Sequence, residues 1–449
     1  MNLSLEELVA WSGETVEGVH DCQAAGLLGT SEPFSPADVE RVRLVRFLRS
    51  RGFELDAISR ADANDDLLDR FVDLLFPGGR IPAHTLEDAV DESAFESEFV
   101  QRYLEAAGLS DLADARGEEH LRVVRNLSAL RDAGLPEGAL LQLVRVYADS
   151  LLRVAEAEVR LFHFYVHERL RAEGLTGPKV REISEAVSDQ LRGLAEPTVL
   201  YFHRLGWRSA MRDHLALHVA QELGAAEISE VPGQLQVGVL FADLAGFTPL
   251  TEAMGDPEAA RVVDRFSTIV RATVNPWHGR VVKQIGDAFM LVFPDPSCTV
   301  ECALEIEARS ADEPRFPAVR LGAHWGEVLY REGDYVGATV NIASRVAATA
   351  RPHELLVTAA IREQVEEVPD AEIVTRGQRT LKGVAEEIEL FEVRRPSVAR
   401  HDRLLDPVCG MELGPMDVAA RLDVDGDALV FCSAGCLQRF VAARERYTS

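Results

Sequence analysis

Two apolar, β-branched runs, each ending at an aspartate, constrain this chain more than any other feature. One opens at Val237 as VGVLFADLAGFTPLTEAMGD, and the other, GRVVKQIGDAFMLVF, carries Asp287. Runs of this kind read as buried strands, so Asp243 and Asp287 are expected at nearby strand ends. Two carboxylates placed that way make a seat for hard cations such as Mg2+, which take oxygen ligands and complete their shell with phosphate and water.

What surrounds that seat is limited by charge. The chain has 449 residues, enough for roughly three domains, and a formal charge of −27 from 74 acidic against 47 basic residues. Such a surface repels nucleic acid and anionic lipid, so a phosphate site has to be built locally from a few lysines, arginines and a metal. No apolar run reaches the roughly 18 residues of a membrane span, and the start MNLSLEELVAW lacks the basic segment of a signal peptide. A cytoplasmic protein without a membrane partner is expected.

Residues 1–60 read as short helices, with Ser35, Pro36 and Asp38 as a start signal and Gly52 as a stop. Their order, with the AGLL turn and the RGFELDAI ending, resembles the helix-turn-helix start of MerR-type regulators. A DNA reader needs basic side chains on its second helix, yet that helix offers Glu14, Glu17, His20, Asp21 and Gln23. The arginines at 41, 43, 46, 49 and 51 fall on the third helix, where a solvated face is expected.

Residues 61–228 have helical periodicity nearly throughout, including LLQLVRVYADSLLRVAEAEVRLFHFYVHERL without a glycine or proline. His163 with His167, and His214 with His218, stand four apart on one helix face, which leaves pH sensing, metal binding and ordinary surface pairs all open. Pro232 and Gly233 mark a linker over about 225–236. Helices then interleave with mostly antiparallel strands, an α+β arrangement. The last 50 or so residues are expected as a separate small unit.

The stretch 236–395 resembles the catalytic domain of class III adenylate cyclases, through FxDLxGFT at Phe241–Thr248, KxxGD at Lys283–Asp287 and GDYVGxTVNxASR at Gly333–Arg345. The resemblance implies a ferredoxin-like βαββαβ fold, a head-to-tail homodimer, and conversion of ATP to cyclic AMP and pyrophosphate with two Mg2+ or Mn2+ ions per site. It implies that Asp243 and Asp287 hold the metals, with the Leu244 backbone alongside. It also implies that Leu244, Gly246 and Phe247 line the triphosphate, with Lys382 on the terminal phosphates. Lys283 and Asp334 match the pair that reads adenine, whose donor and acceptor pattern they complement. Asn341 and Arg345 match the transition-state pair. Metal and base residues of one site then come from opposite protomers. Residues 61–228 resemble, more loosely, the helical regulatory domain of soluble actinobacterial cyclases.

The tail, 402–449, carries DPVCGM and FCSAGC and resembles the YHS or TRASH-type metal-binding module. Cys409, Cys432 and Cys436 would offer three thiolates to Zn2+ or Cu+, with Asp406 available as a carboxylate; three reduced cysteines in a small core are the alternative. The competing reading of the whole chain is a transcription regulator or metal sensor whose cyclase domain only binds nucleotide. The acidic second helix speaks against it.

Overall fold

The computed structural model describes residues 2–75, 97–109, 118–175, 178–224, 229, 231–365, 367–384, 386–395, 404–424 and 426–447. It divides into two units, Met1–Ser209 and Ala210–Ser449, with the boundary inside one long helix. Among the described residues no helix is long and apolar enough to cross a membrane.

In the first unit, helices α1 (Leu5–Ser12), α2 (Val16–Ala24), α3 (Pro36–Ser50), α4 (Leu55–Asp65) and α5 (Leu67–Leu75) enclose Leu8, Val19, Leu27, Val42 and Leu68. Ser4 with Glu7, and Ser35 with Asp38, form capping boxes, and Pro36 sits in the first turn of α3, where its missing N–H leaves no bond unmade. Arg49 and Arg51 are exposed as expected, but Arg41, Arg43 and Arg46 depart from the expected solvated face. Arg41 pairs with Asp62 and Asp69 and donates to the Leu27 carbonyl, while Arg43 pairs with Glu40 and donates to that of Trp11. Arg46 donates to the Gly13 carbonyl. A guanidinium has five donors in a fixed fork, so each of these residues ties several helix ends together.

Helices α6 (Ser97–Ala106), α7 (Glu118–Asp132) and α8 (Glu137–Phe162) share a second core of Phe99, Tyr103, Leu127, Leu140 and Val144. The long helix expected without interruption widens into a π turn at His163–His167 and resumes as α9 (Glu168–Ala172). The Glu168 N–H closes that turn on the His163 carbonyl, and the His163 ring stacks on His167 with centroids 5.7 Å apart. Helix α10 (Pro178–Glu222) follows. Residues 225–228 and 230 of the expected linker lie outside the described residues.

The second unit is built on strand β1 (Gln234–Leu244), paired antiparallel with β3 (Ala288–Phe293) on one side and β4 (Val319–Arg331) on the other. With β2 (Arg280–Ile285), β5 (Asp334–Val336), β6 (Glu354–Thr358), β7 (Glu372–Thr380) and β8 (Glu387–Arg394), the sheet runs β2-β3-β1-β4-β6-β8-β7, with β5 on β4. Only β4 and β6 are parallel. Because side chains alternate across a strand, Leu240, Ala242 and Leu244 face one core, beneath α12 (Asp256–Val274) and α13 (Pro296–Asp312), while Val239 and Phe241 face another beneath α14 (Ala338–Thr349). By the same parity Asp243 points to the α14 side.

Helix α14 sits directly on β4, and the short helix α15 (Ala359–Arg362) follows β6. A Cβ at Gly322 would land in the backbone of Ala347, and Ala343 and Ala347 supply the small side chains that allow the approach.

The tail is not a separate body. Strands β9 (Leu404–Leu405), β10 (Glu412–Leu413), β11 (Ala420–Val424) and β12 (Asp427–Phe431), with helix α16 (Ala434–Ala442), put Val408, Met411, Phe431 and Phe440 into the same continuous core as Leu240, Phe266 and Phe289. A segment of under 50 residues has too little core to bury itself well, and the catalytic sheet supplies the rest.

Gly322→Ala should destabilise the second unit by about 3 kcal/mol, a fall of roughly 6 to 12 °C in its melting temperature. Calorimetry checks this, and unchanged melting would mean that α14 is not seated through Gly322.

Candidate active site

Strand β1 delivers Asp243 one residue before its end, and the tight β2–β3 turn, with Gly286 at φ 64°, delivers Asp287. The two carboxyls are within hydrogen-bond reach, and burial, then the charge of Asp243, pushes the Asp287 carboxyl up to about 6. Arg320 opposes that shift. It lies directly across from Asp243 in the β1–β4 register and forms an ion pair with it. Two carboxylates held this close favour either a shared proton or a cation, so the pair fits Mg2+ or Mn2+ on its own electrostatics.

Beyond Asp243, Leu244 is buried and paired with Val319, and the Ala245 N–H is taken by the Ala318 carbonyl at 2.8 Å. The chain then turns at exposed Gly246, φ 72°, into α11 (Phe247–Met254), whose N-cap has no side-chain partner. Backbone N–H groups left free at a helix start, next to a cation seat, suit a phosphate.

A second cluster forms from different elements. Lys283 on β2 forms an ion pair with Asp334 at the start of β5, and Asp334 also accepts the Tyr335 N–H at 2.8 Å. Both side chains are more than a third exposed. Arg280 supports this end by pairing with the Tyr335 hydroxyl and lying over its ring. Asn341 and Arg345 project from one exposed face of α14, and Lys382 is exposed in the β7–β8 turn.

In the tail, Asp406, Cys409, Cys432 and Cys436 are all buried, with one ligand atom of each within 4.8 Å of the others. The sulfurs of Cys409 and Cys436 each lie 3.5 Å from that of Cys432. Two Zn–S bonds of about 2.3 Å at a tetrahedral angle would hold sulfurs about 3.8 Å apart, so the spacing suits a four-coordinate ion. Hydrogen bonds from Cys409 and then Cys432 hold the Cys436 thiol well below its ordinary range, whereas those to Cys432 and Cys436 push Cys409 up. Asp406 accepts the N–H groups of Val408, Cys409 and Cys432 and so fixes the loops that carry two of the thiols.

The sequence alone does not single out Arg320. Only the register sets it opposite Asp243. The backbone role of Asp406 is likewise a product of loop geometry.

The Asp287 carboxyl titrates near 6 in the fold and near 3.9 when unfolded, so its ionisation opposes folding above that range. Asp287→Asn should therefore raise the melting temperature of magnesium-free protein at pH 7.5. The expected gain is about 2 to 4 °C, from roughly 1 kcal/mol after screening by solvent, and the two proteins should converge near pH 4. A variant no more stable than its parent at pH 7.5 would contradict the electrostatic strain.

Residues 230–394 match the adenylate and guanylate cyclase catalytic domain. The chain is 30% identical over 368 residues to a pH-sensitive adenylate cyclase of Mycobacterium tuberculosis, covering 80% of this chain and 89% of that protein. It is 30% identical over 293 residues to an adenylate cyclase of Streptomyces coelicolor, covering 64% of this chain and 73% of that one. The solved structure of the adenylyl cyclase CyaB from P. aeruginosa aligns at 19% identity and a TM-score of 0.33 over 36% of this chain and 94% of its own. With 30% identity carried along most of both chains, and the catalytic-domain match spanning Asp243, Asp287, Lys283 and Arg345, the chain belongs to the class III adenylate cyclases.

Proposed function

We propose that the protein converts ATP to cyclic AMP and pyrophosphate at two composite sites of a homodimer, with a ferredoxin-like catalytic core over 236–395. The observation that carries this reading is the close pairing of Asp243 with Asp287 beside the free start of α11. When two divalent cations are bound, they lower the cost of deprotonating the 3′-hydroxyl and of charge on the leaving pyrophosphate. Asp243 and Asp287 hold that seat, the backbone from Leu244 to Phe247 borders the triphosphate, and Arg320 and Lys382 add positive charge.

Lys283 and Asp334 offer a donor and an acceptor side by side. Adenine presents the complementary pair, while guanine would leave both groups mismatched once the bound base covers them, at about 1 to 3 kcal/mol each. Asn341 orients the ribose and Arg345 stabilises charge on the α-phosphoryl group. We assign these to the partner's half of each site, so Lys283 and Asp287, only four residues apart, serve different sites.

For the flanking regions we favour regulation. The helical region 61–228 carries the stacked His163 and His167, and a relative is named a pH-sensitive adenylate cyclase. Protonating both rings would set like charges face to face in the π turn. Arg41, Arg43 and Arg46 are taken up in packing, which favours a structural role for residues 1–60 over DNA binding. The tail cluster we take as a Zn2+ or Cu+ site.

Asp243→Ala and Arg345→Ala should each abolish cyclic AMP production. Mixed in equal amounts, they should recover about a quarter of wild-type activity, because half of the dimers would contain one intact site; no recovery would count against shared sites. Replacing His163 and His167 by glutamine should flatten the activity profile between pH 5 and 8, and an unchanged profile would remove those residues from the sensor.

A further inference from the structure

The cysteine loop and the turn beyond Asp243 are packed backbone to backbone. A Cβ at Gly410 would lie 3.0 Å from the Ala245 carbonyl and 3.7 Å from the Gly246 Cα, and a Cβ at Gly246 would meet Gly410 Cα at 3.7 Å. Both residues have left-handed backbones, φ 68° and 72°. They also share an anchor. Ala245 donates to the Ala318 carbonyl at 2.8 Å, Glu412 donates to that of Phe316 at 3.1 Å, and Pro317 bridges to Met411. Thus the segment 316–318 that leads into β4 holds the catalytic turn on one side and the cysteine loop on the other.

Further ties join the same two parts. Arg446, after α16, pairs with Glu252 of α11 at 2.9 Å, and Phe247 and Met254 pack against the core that includes Cys409, Cys432 and Cys436. His353 lies between Glu307 of α13 and Glu412 of the tail. Within the cysteine loop, Gly410 N–H donates to the Asp406 carbonyl at 2.9 Å, and Asp406 N–H donates to that of Met411 at 2.9 Å. The loop is therefore a closed ring of six residues in which Cys409, a thiol of the cluster, directly precedes the glycine that touches the turn.

From this arrangement we infer that the Asp406, Cys409, Cys432 and Cys436 cluster is a regulatory metal site that braces the Ala245–Phe247 turn, so that its occupancy sets how tightly the enzyme holds the triphosphate of ATP. The inference rests on reading the four side chains as a metal site and adds what that site controls. A Zn2+ ion joining Cys409 to Cys432 and Cys436 fixes Gly410, and Gly410 in turn confines the backbone that borders the phosphates. Without the ion, three thiols near one another and a carboxylate hold the ring only through hydrogen bonds. The effect falls on substrate binding, because Asn341 and Arg345 stand on α14, on the opposite face of the sheet from the core that contains the cluster.

The test uses the full chain under reducing conditions, with excess Mg2+ to occupy the catalytic aspartates. Cobalt should bind at one ion per chain with a thiolate charge-transfer band that Zn2+ displaces. Relative to stripped protein, Zn2+ loading should slow hydrogen exchange at the amides of 245–248 and lower the KM for ATP about five- to tenfold, with a smaller change in kcat. Cys436→Ser should lose the band and the zinc response together. Gly410→Ala, which keeps every ligand but presses on the Ala245 carbonyl, should retain the band and lose the KM response. Absence of any thiolate-bound ion in the wild-type chain would overturn the metal site itself. A bound ion with unchanged exchange at 245–248, or with an unchanged or higher KM, would leave the site standing and overturn the brace.

Discussion

Asp243 and Asp287 carry negative charge that burial makes expensive, and much of the second unit is arranged around containing it. Their strands, β1 and β3, pair directly and are apolar on both faces, so the carboxyls emerge where the apolar run stops. Arg320 offsets part of the charge from the neighbouring strand, yet the Asp287 carboxyl still titrates near 6. In the proposed site a divalent cation would relieve the remainder, since the electrostatics that make two close carboxylates costly without metal favour binding one.

The positions of the other groups follow from how the sheet is covered. Helices α12 and α13, together with the tail, cover one face, where Phe266, Val300 and Ile306 are buried. The other face receives α14, drawn close by Gly322, and α14 brings Asn341 and Arg345 with it. Lys283 and Asp334 come from β2 and β5, which are not sheet neighbours, and meet through their side chains. The candidate groups are thus held by the sheet in two clusters.

The tail changes the picture of a catalytic domain with an appended module. Its cysteine loop shares the 316–318 segment with the catalytic turn, and its apolar residues complete a core begun by β1 and β3. An element that cannot bury itself alone has to find its core elsewhere, and in this chain it finds it next to the turn that follows β1. Coupling between the two then needs no long pathway, only the contact of two glycine backbones.

Local chemistry determined a good deal from sequence. The apolar runs specified β1 and β3, and Ser35 with Pro36 marked the start of α3. The candidate residues were legible because each motif fixes residue type and spacing over a few positions. What the sequence could not supply were relations between distant segments. The register that sets Arg320 against Asp243, the burial that turns Arg41 and Arg43 inward, the π turn at His163 and the seating of Gly410 against Gly246 each depend on chain segments far apart in sequence, or on packing that no short motif records. Sequence determines which groups can bind a cation, a base or a phosphate, because that is a property of the side chain. Tertiary structure decides which of them meet, because that depends on strand pairing and on which faces are buried together.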